Sequence, residues 1–305
     1  MLEEIIGQTD LKRSFEIAAV AARRRNEVLE HLLLCAIGGI GKTYALNAFC
    51  RELGYYKAVT QGNRLTIAKV KSFLVENCLA AKQRGIPAFL IIDEIHEMSP
   101  EAQDELFYPM DHGTILTLEQ PVKLWPFCLA GATTDPHELD GKSLIDRFVH
   151  TWEMKDLTVG ELMTIVSNFL RESGLVAQWA PMQMIAERSK GSPRLAKKYV
   201  RRARDFAQYE GRTEVTSQHV ERMFSELGID DFGLDGIQRR YLTILYESGK
   251  PVGKEALASM LGEMRPEQLT RMVEPFLWKS GFITSTNRGR SLTDKGFKHL
   301  ARSFW

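Results

Sequence analysis

The run Gly38-Gly39-Ile40-Gly41-Lys42-Thr43 places three glycines, a lysine and a hydroxyl in one short stretch of chain. A phosphate chain is held by backbone N–H groups that point at it without side chains in the way, so glycines belong where a loop wraps it. Lys42 would offset charge on the β and γ phosphates, and the Thr43 hydroxyl would ligate magnesium. The apolar run Leu32 to Ala36 precedes the loop, and the helical segment Tyr44 to Leu53 follows it, adding a positive helix end. Fifty residues past Thr43, the apolar run Ala88 to Ile92 ends in Asp93-Glu94. In a parallel sheet, residues just past the carboxyl ends of strands face the ligand crevice. Asp93 would hold the magnesium through water, and Glu94 would orient and deprotonate an attacking water.

Three further motifs complete the chemistry. Phe127 to Thr134 is a buried-type strand ending in hydroxyls: Thr133 or Thr134 either contacts the γ-phosphate or attacking water, or caps the next turn. Arg147, in Asp146-Arg147-Phe148, either reaches a neighbouring subunit's nucleotide or pairs with Asp146 or Asp140. Gly191-Ser192-Pro193-Arg194 opens a helix with Ser192 as N-cap and Pro193 as its first residue, which turns Arg194 toward the nucleotide. Downstream, Lys197, Lys198 and Arg201 continue a basic stripe opposite Leu195, Tyr199, Ala203 and Phe206, the pattern of a solvated or subunit-facing surface more than of its alternative, a nucleic-acid track.

The elements that must position these residues follow from periodicity. Short apolar runs (Leu32 to Ala36, Tyr56 to Thr60, Ala88 to Ile92, Phe127 to Ala132, Val149 to Met154) alternate with helical segments, the signature of a parallel sheet covered by helices. One such helix, Lys69 to Lys82, is expected to bury Val70, Phe73, Leu74 and Leu79 on one face. Beyond Lys155 the strand-like runs stop, and Val159 to Glu172, Pro181 to Ser189, Arg194 to Glu210 and Ser217 to Leu227 read as a helical bundle. A Gly- and Asp-rich linker near 228–236 leads to a third unit. Its order is helix (Ile237 to Glu247), helix (Lys254 to Leu261), helix (Pro266 to Lys279), strand (Phe282 to Thr286), an Asn-Arg-Gly turn, strand and helix, which fits a winged helix. The expected domains are 1–155, an α/β P-loop core, 156–230, a helical lid, and 231–305, a winged helix.

The 305 residues are 44% hydrophobic and 26% charged, which excludes a disordered or collagen-like chain. Forty Lys and Arg against 39 Asp and Glu give a net charge of +1, yet residues 237–305 hold 12 basic and 6 acidic side chains. That local excess points the third unit at nucleic acid. Arg288 and Arg290 in Asn287 to Arg290 are expected at a hairpin tip gripping phosphates, with Arg265, Arg271 and Lys279 on the third helix facing a duplex. The four cysteines are scattered without metal spacing, the histidines form no ligand pair, and no apolar run is long enough for a bilayer. The acidic start Met-Leu-Glu-Glu lacks the pattern of a secretory signal, so a cytoplasmic location without membrane partners is expected.

Together these residues resemble the AAA+ ATPases and, within them, the RuvB family of Holliday-junction branch-migration motors. The resemblance runs over nearly the whole chain through Ile5 to Gln8, Glu27 to Leu34, Gly39 to Thr43, Ile92 to Pro100, Gly131 to Thr134, Asp146 to Phe148, Gly191 to Arg194, Arg204 to Gln208 and Asn287 to Arg290. It implies Walker A at Lys42 and Thr43, Walker B at Asp93 and Glu94, sensor one at Thr133 or Thr134, an arginine finger at Arg147 and sensor two at Arg194. It also places Ile6, Tyr44 and Pro193, with Gly38 to Gly41, around ATP, with Mg2+ on Thr43 and Asp93. Family members form hexameric rings around duplex DNA, act in recombination and repair, and partner the junction-binding protein RuvA.

Three departures stand out. Ala36 replaces the first glycine of the phosphate loop, Ile145 replaces an arginine two residues before the finger, and the stretch before Ile5 is shorter than expected. The hairpin between Asp111 and Pro126, which in the family docks RuvA, keeps only about a dozen residues, which argues against a RuvA-type partner. The expected function is an ATP-dependent DNA translocase or helicase. The alternative is a nucleotide-gated loader that assembles on DNA and recruits a partner without translocating.

Overall fold

A computed structural model describes residues 2–117, 120–139, 144–262 and 264–303. Contacts group the chain into two units, residues 1–165 with 191–194, and residues 166–190 with 195–305. In the first unit the strands are β1 (Leu32–Cys35), β2 (Tyr56–Gln61), β3 (Ala88–Asp93), β4 (Thr114–Ile115), β5 (Val122–Lys123), β6 (Phe127–Thr133) and β7 (His150–Glu153). β4 and β5 pair as a separate antiparallel hairpin, and the other five form a parallel sheet in the order β2-β3-β6-β1-β7. The helices are α1 (Thr9–Arg25), α2 (Lys42–Leu53), α3 (Ile67–Gln83) and α4 (Pro100–His112).

Strand position explains strand composition. The central β3 is buried from Ala88 to Ile92 and β6 is buried throughout, whereas the edge strands β2 and β7 alternate. Successive side chains leave opposite faces. Phe89 and Ile91 therefore join Phe15 of α1 and Phe49 of α2, whose rings stack 4.1 Å apart. Leu90 and Ile92 join Val70 and Leu74 of α3 and Leu106 of α4. The buried line of α3 runs through Val70, Leu74, Cys78 and Ala81. Leu79, expected on that face, is 51% exposed, because one residue past Cys78 turns it about 100° away from the core.

The register sets the functional edge. Cys35 lies opposite Thr133 and Ile92 opposite Gly131, so β1, β3 and β6 end side by side. α4 starts just beyond the acid pair, with the Ser99 hydroxyl accepting from the Ala102 N–H as N-cap. Its far end is tied back by His31. The Leu129 N–H donates to Nδ1 at 3.0 Å, which leaves the proton on Nε2, 3.2 Å from the Met110 carbonyl. Burial pulls this imidazole down to about 4. Cys50, Cys78 and Cys128 are buried and Cys35 is half-buried, all as free thiols. Burial raises each thiol, Cys50 to about 11 and Cys78 to about 12.

α5 (Val159–Glu172) and α7 (Pro193–Tyr209) each begin among residues of the first unit and continue into the second. α6 (Trp179–Arg188) and α8 (Ser217–Glu226) complete the helical part. It also holds two strands that periodicity does not announce, β8 (Val176–Ala177) and β9 (Glu214–Val215), paired in parallel. Two residues each are too few to show a period of two.

The winged region contains α9 (Gly236–Ser248), α10 (Lys254–Met260), α11 (Pro266–Gln268), a π-helical turn (Leu269–Val273), α12 (Glu274–Lys279), the hairpin β10 (Ile283–Thr286) and β11 (Gly289–Leu292), and α13 (Asp294–Ser303). Leu242, Leu245, Leu257, Leu269, Leu277 and Phe282 form its core. The third helix is thus interrupted where one continuous helix over Pro266 to Lys279 is expected. Pro275 supplies no N–H and its ring would meet the carbonyl of Arg271, so the helix widens over one turn. Among the described residues no helix is long and apolar enough to cross a membrane.

Candidate functional site

The loop between β1 and α2 is shaped by its glycines. Gly39 (φ 90°) and Gly41 (φ 111°) occupy backbone conformations that L side chains rarely adopt. A Cβ on Gly39 would also stand 2.8 Å from the Ser192 hydroxyl and 3.2 Å from the Arg194 Cβ. Ala36 has no such requirement: its φ is not positive, and its N–H donates to the Thr133 carbonyl at 3.1 Å. Ile40 is buried among the residues of α1 and α2, which fixes the loop to the core.

Lys42 is the first residue of α2 and only 6% exposed. Its ammonium donates to the Ala36 carbonyl at 3.1 Å and lies 3.6 Å from Glu94 Oε1. Burial lowers its pKa, the carboxylates of Glu94 and Asp93 oppose that shift, and the Arg194 charge adds to it. The Thr43 hydroxyl donates to Asp93 Oδ2 at 2.9 Å. Among the described residues no group of three or more His, Cys, Asp and Glu side chains could hold a metal. A hydroxyl and a carboxylate nevertheless suit Mg2+, which keeps several waters and takes its other oxygens from phosphates.

Glu94 bends the chain by adopting a left-handed conformation (φ 47°, ψ 54°) directly after β3. Its Oε2 accepts from the Thr134 N–H at 3.1 Å and the Thr134 hydroxyl at 3.0 Å. Thr133 is fully buried instead, with its hydroxyl 3.0 Å from His96 Nδ1 and accepting from the Asp135 N–H. Of the two threonines, Thr134 stands beside the acid pair. His96 stands between Thr133 and Glu94, its Nδ1 3.0 Å from the hydroxyl of the first and 3.5 Å from the carboxylate of the second. Gly62 is a support that sequence reasoning overlooks: a Cβ there would be 2.3 Å from the Glu94 carbonyl oxygen.

Residues 191–194 close the loop from the other side. The Ser192 hydroxyl donates to the Gly39 carbonyl at 3.3 Å, and the Arg194 N–H donates to the same oxygen at 3.2 Å. Pro193 is the first residue of α7, as expected, and the Arg194 side chain is exposed. Tyr44 is exposed on α2, its hydroxyl 3.4 Å from the Glu4 carbonyl. Ile6 is half-buried in the amino-terminal segment, which Gln8 clips to Lys155 through its N–H at 3.1 Å.

Of the two expected partners of Arg147, Asp140 lies outside the described residues, and a more distant acid, Asp111, pairs with it. The Arg147 Nε and Nη2 both reach Asp111 Oδ2 at 3.0 Å, and the Arg147 Cζ lies 4.1 Å over the Phe107 ring. Ile145 packs partly buried against the core layer beneath α3 and α4. Asp111 and Phe107 carry no local sequence signal, since they lie 36 and more residues before the arginine.

In the winged region, Arg265, Arg271, Lys279 and Arg288 are exposed, with Arg288 in the turn between β10 and β11. Arg290 departs from expectation. Thr286 pairs with Gly289, so the turn consists of Asn287 and Arg288 alone and Arg290 lies within β11. Its Nε and Nη2 donate to the Glu274 carboxylate at 2.9 and 3.2 Å. Glu274 is 1% exposed and also accepts from the Tyr241 hydroxyl at 2.8 Å. Burial, and then the Glu274 charge, push the Tyr241 phenol far upward. Arg290 thus ties the wing to the helix below it through two of its five N–H donors.

Family models match the chain along most of its length. Residues 1–154 match the Holliday junction DNA helicase RuvB P-loop domain, residues 158–230 the RuvB AAA lid domain, and residues 231–301 the RuvB C-terminal winged helix domain. The Holliday junction branch migration complex subunit RuvB of Paracoccus denitrificans is 35% identical, covering 98% of this chain and 88% of its own length. The corresponding subunit of Anaeromyxobacter sp. is 36% identical over the same shares. The solved Thermotoga maritima RuvB Holliday junction branch migration motor superposes with a TM-score of 0.84 at 33% identity, covering 98% of this chain and 96% of that one. With a nucleotide loop, an acid pair and a wing built as described, and matches spanning all three domains, the chain belongs to the RuvB family of AAA+ proteins.

Proposed function

We propose that this protein is an ATP-hydrolysing DNA motor that drives branch migration of Holliday junctions or translocates other duplex DNA in the cytoplasm. The observation that carries the reading is the convergence of Lys42, Thr43, Asp93, Glu94 and Thr134 on one end of the sheet, with the Arg194 backbone clasping the loop. Lys42 and the loop N–H groups bind the triphosphate. Thr43 and Asp93 hold Mg2+, which neutralises phosphate charge when bound. Glu94 orients the attacking water and takes its proton, with Thr134 steering the carboxylate. Arg194 faces the nucleotide from the first turn of α7, and Ile6, Tyr44 and Pro193 border the nucleoside.

Copies assemble as a ring, a hexamer, in which Arg147 of one subunit offsets charge at the nucleotide of the next. Arg288, Arg265, Arg271 and Lys279 grip DNA phosphates without reading sequence. Domains 1–155, 156–230 and 231–305 divide this labour. The β4–β5 hairpin pairs only two residues on each side, so a RuvA-type partner is not expected to dock there. Retention of such a protein by the wild type but not by a hairpin deletion would reverse that point.

ATP turnover with and without junction DNA tests the reading. Lys42→Ala should lose nucleotide binding and turnover, while Glu94→Gln should bind nucleotide and lose turnover by about 10²–10⁴-fold. A wild type that hydrolyses no ATP under any of these conditions rules the reading out. Triplex displacement separates a motor from a loader, which would show no directional movement.

A further inference from the structure

The contacts of Arg147 point to two residues with no assigned role. We infer that Asp111 and Phe107, one helical turn apart on α4, are positioning residues that hold the Arg147 guanidinium in the direction from which it serves the neighbouring subunit. This rests on the reading of Arg147 as an arginine finger. The side chain of Arg147 rises from the short segment Leu144 to Phe148, whose Leu144 and Phe148 are buried. Its backbone N–H donates to the Leu144 carbonyl at 3.2 Å. The segment is therefore anchored, but a long arginine on an anchored segment still samples many rotamers. Asp111 receives both Nε and Nη2 at 3.0 Å, and Phe107 lies 4.1 Å below Cζ, so one edge and one face of the planar group are fixed together.

Stability does not account for this clamp. The side chains of Arg147 and Asp111 are 26% and 40% exposed, and ion pairs at such exposure contribute little to folding. Their platform is rigid at both ends: α4 is capped by Ser99 beside the acid pair and tied by His31 at Met110, the residue before Asp111. The same helix that leaves the acid pair of one site thus carries the group that aims an arginine at the next.

The test measures ATP turnover in the DNA-bound oligomer for Asp111→Ala, Asp111→Glu and Phe107→Leu, with Arg147→Ala alongside. Misplacing a catalytic group by about 1 Å costs up to about 10²-fold, so Asp111→Ala should lower kcat by about tenfold or more with KM for ATP unchanged. Phe107→Leu should lower it less, and Asp111→Glu should restore it in part. Mixing Asp111→Ala with Lys42→Ala subunits should give more turnover than either alone, because Lys42→Ala subunits lend a correctly held Arg147 to intact neighbouring sites. A purely structural defect would not be rescued in this way. If Arg147→Ala cripples turnover while Asp111→Ala leaves it unchanged or raises it, the inference is overturned. If Arg147→Ala itself leaves turnover unchanged, the finger reading falls first.

Discussion

Arg147 in the first unit and Arg290 in the second both stand out in the sequence as working arginines, and both end in an ion pair. The pairs differ in kind. Glu274 is 1% exposed and shares its carboxylate among Arg290, Tyr241 and Trp278, whereas Asp111 is 40% exposed. A charge taken out of water needs every partner it has, so the Glu274 cluster holds structure together. A charge left at the surface contributes little to folding, so what the Asp111 pair determines is a direction. Sequence spacing ranks the two arginines alike, and burial separates them.

The largest effect that would sharpen this contrast is expected at Arg290. Arg290→Ala strands a buried carboxylate and should cost about 3–5 kcal/mol of stability, read from denaturant unfolding of the winged region. A loss below about 1 kcal/mol would erase the distinction from an exposed pair. The first unit has its own buried titrating group in His31, held neutral with a pKa of about 4. Unfolding restores its ordinary value near 6.5, so the unfolded chain takes up the proton first as pH falls. The contribution is intact above about pH 6.5 and is lost toward pH 4, by at most about 3 kcal/mol. Replacing His31 with Gln should flatten the stability slope in that window, and an unchanged slope would remove His31 as its source. The smallest effect belongs to Arg288. Arg288→Ala should leave stability within about 0.5 kcal/mol, while weakening DNA binding evenly across sequences and lowering the salt slope by about one. Equal affinity at every salt concentration would take Arg288 out of the interface.

Much of the first unit was legible in the chain. Continuous apolar runs marked β3 and β6 because both faces of those strands are covered, and the glycines of the loop marked themselves through their backbone angles. What stayed hidden was of two kinds. Some features sit in too few residues to carry a period, as with β8, β9 and the turn register that moves Arg290 off the tip. Others depend on residues brought together from far apart. Nothing near Arg147 announces Asp111, nothing near Glu94 shows that Thr134 rather than Thr133 faces it, and Gly62 gains its role from the acid pair on the next strand. Pro275 is visible in the chain, and its missing N–H interrupts a helix that the hydrophobic pattern alone would run straight through.

The placement of the four cysteines gives the molecule a built-in reporter. All four lie in the first unit, and burial keeps Cys50, Cys78 and Cys128 protonated and shielded. Alkylating reagents attack the thiolate, so these three positions become modifiable only when the sheet and its covering helices come apart. Labelling kinetics followed by mass spectrometry would time the opening of the ATPase half alone, while the cysteine-free remainder stays silent whatever it does.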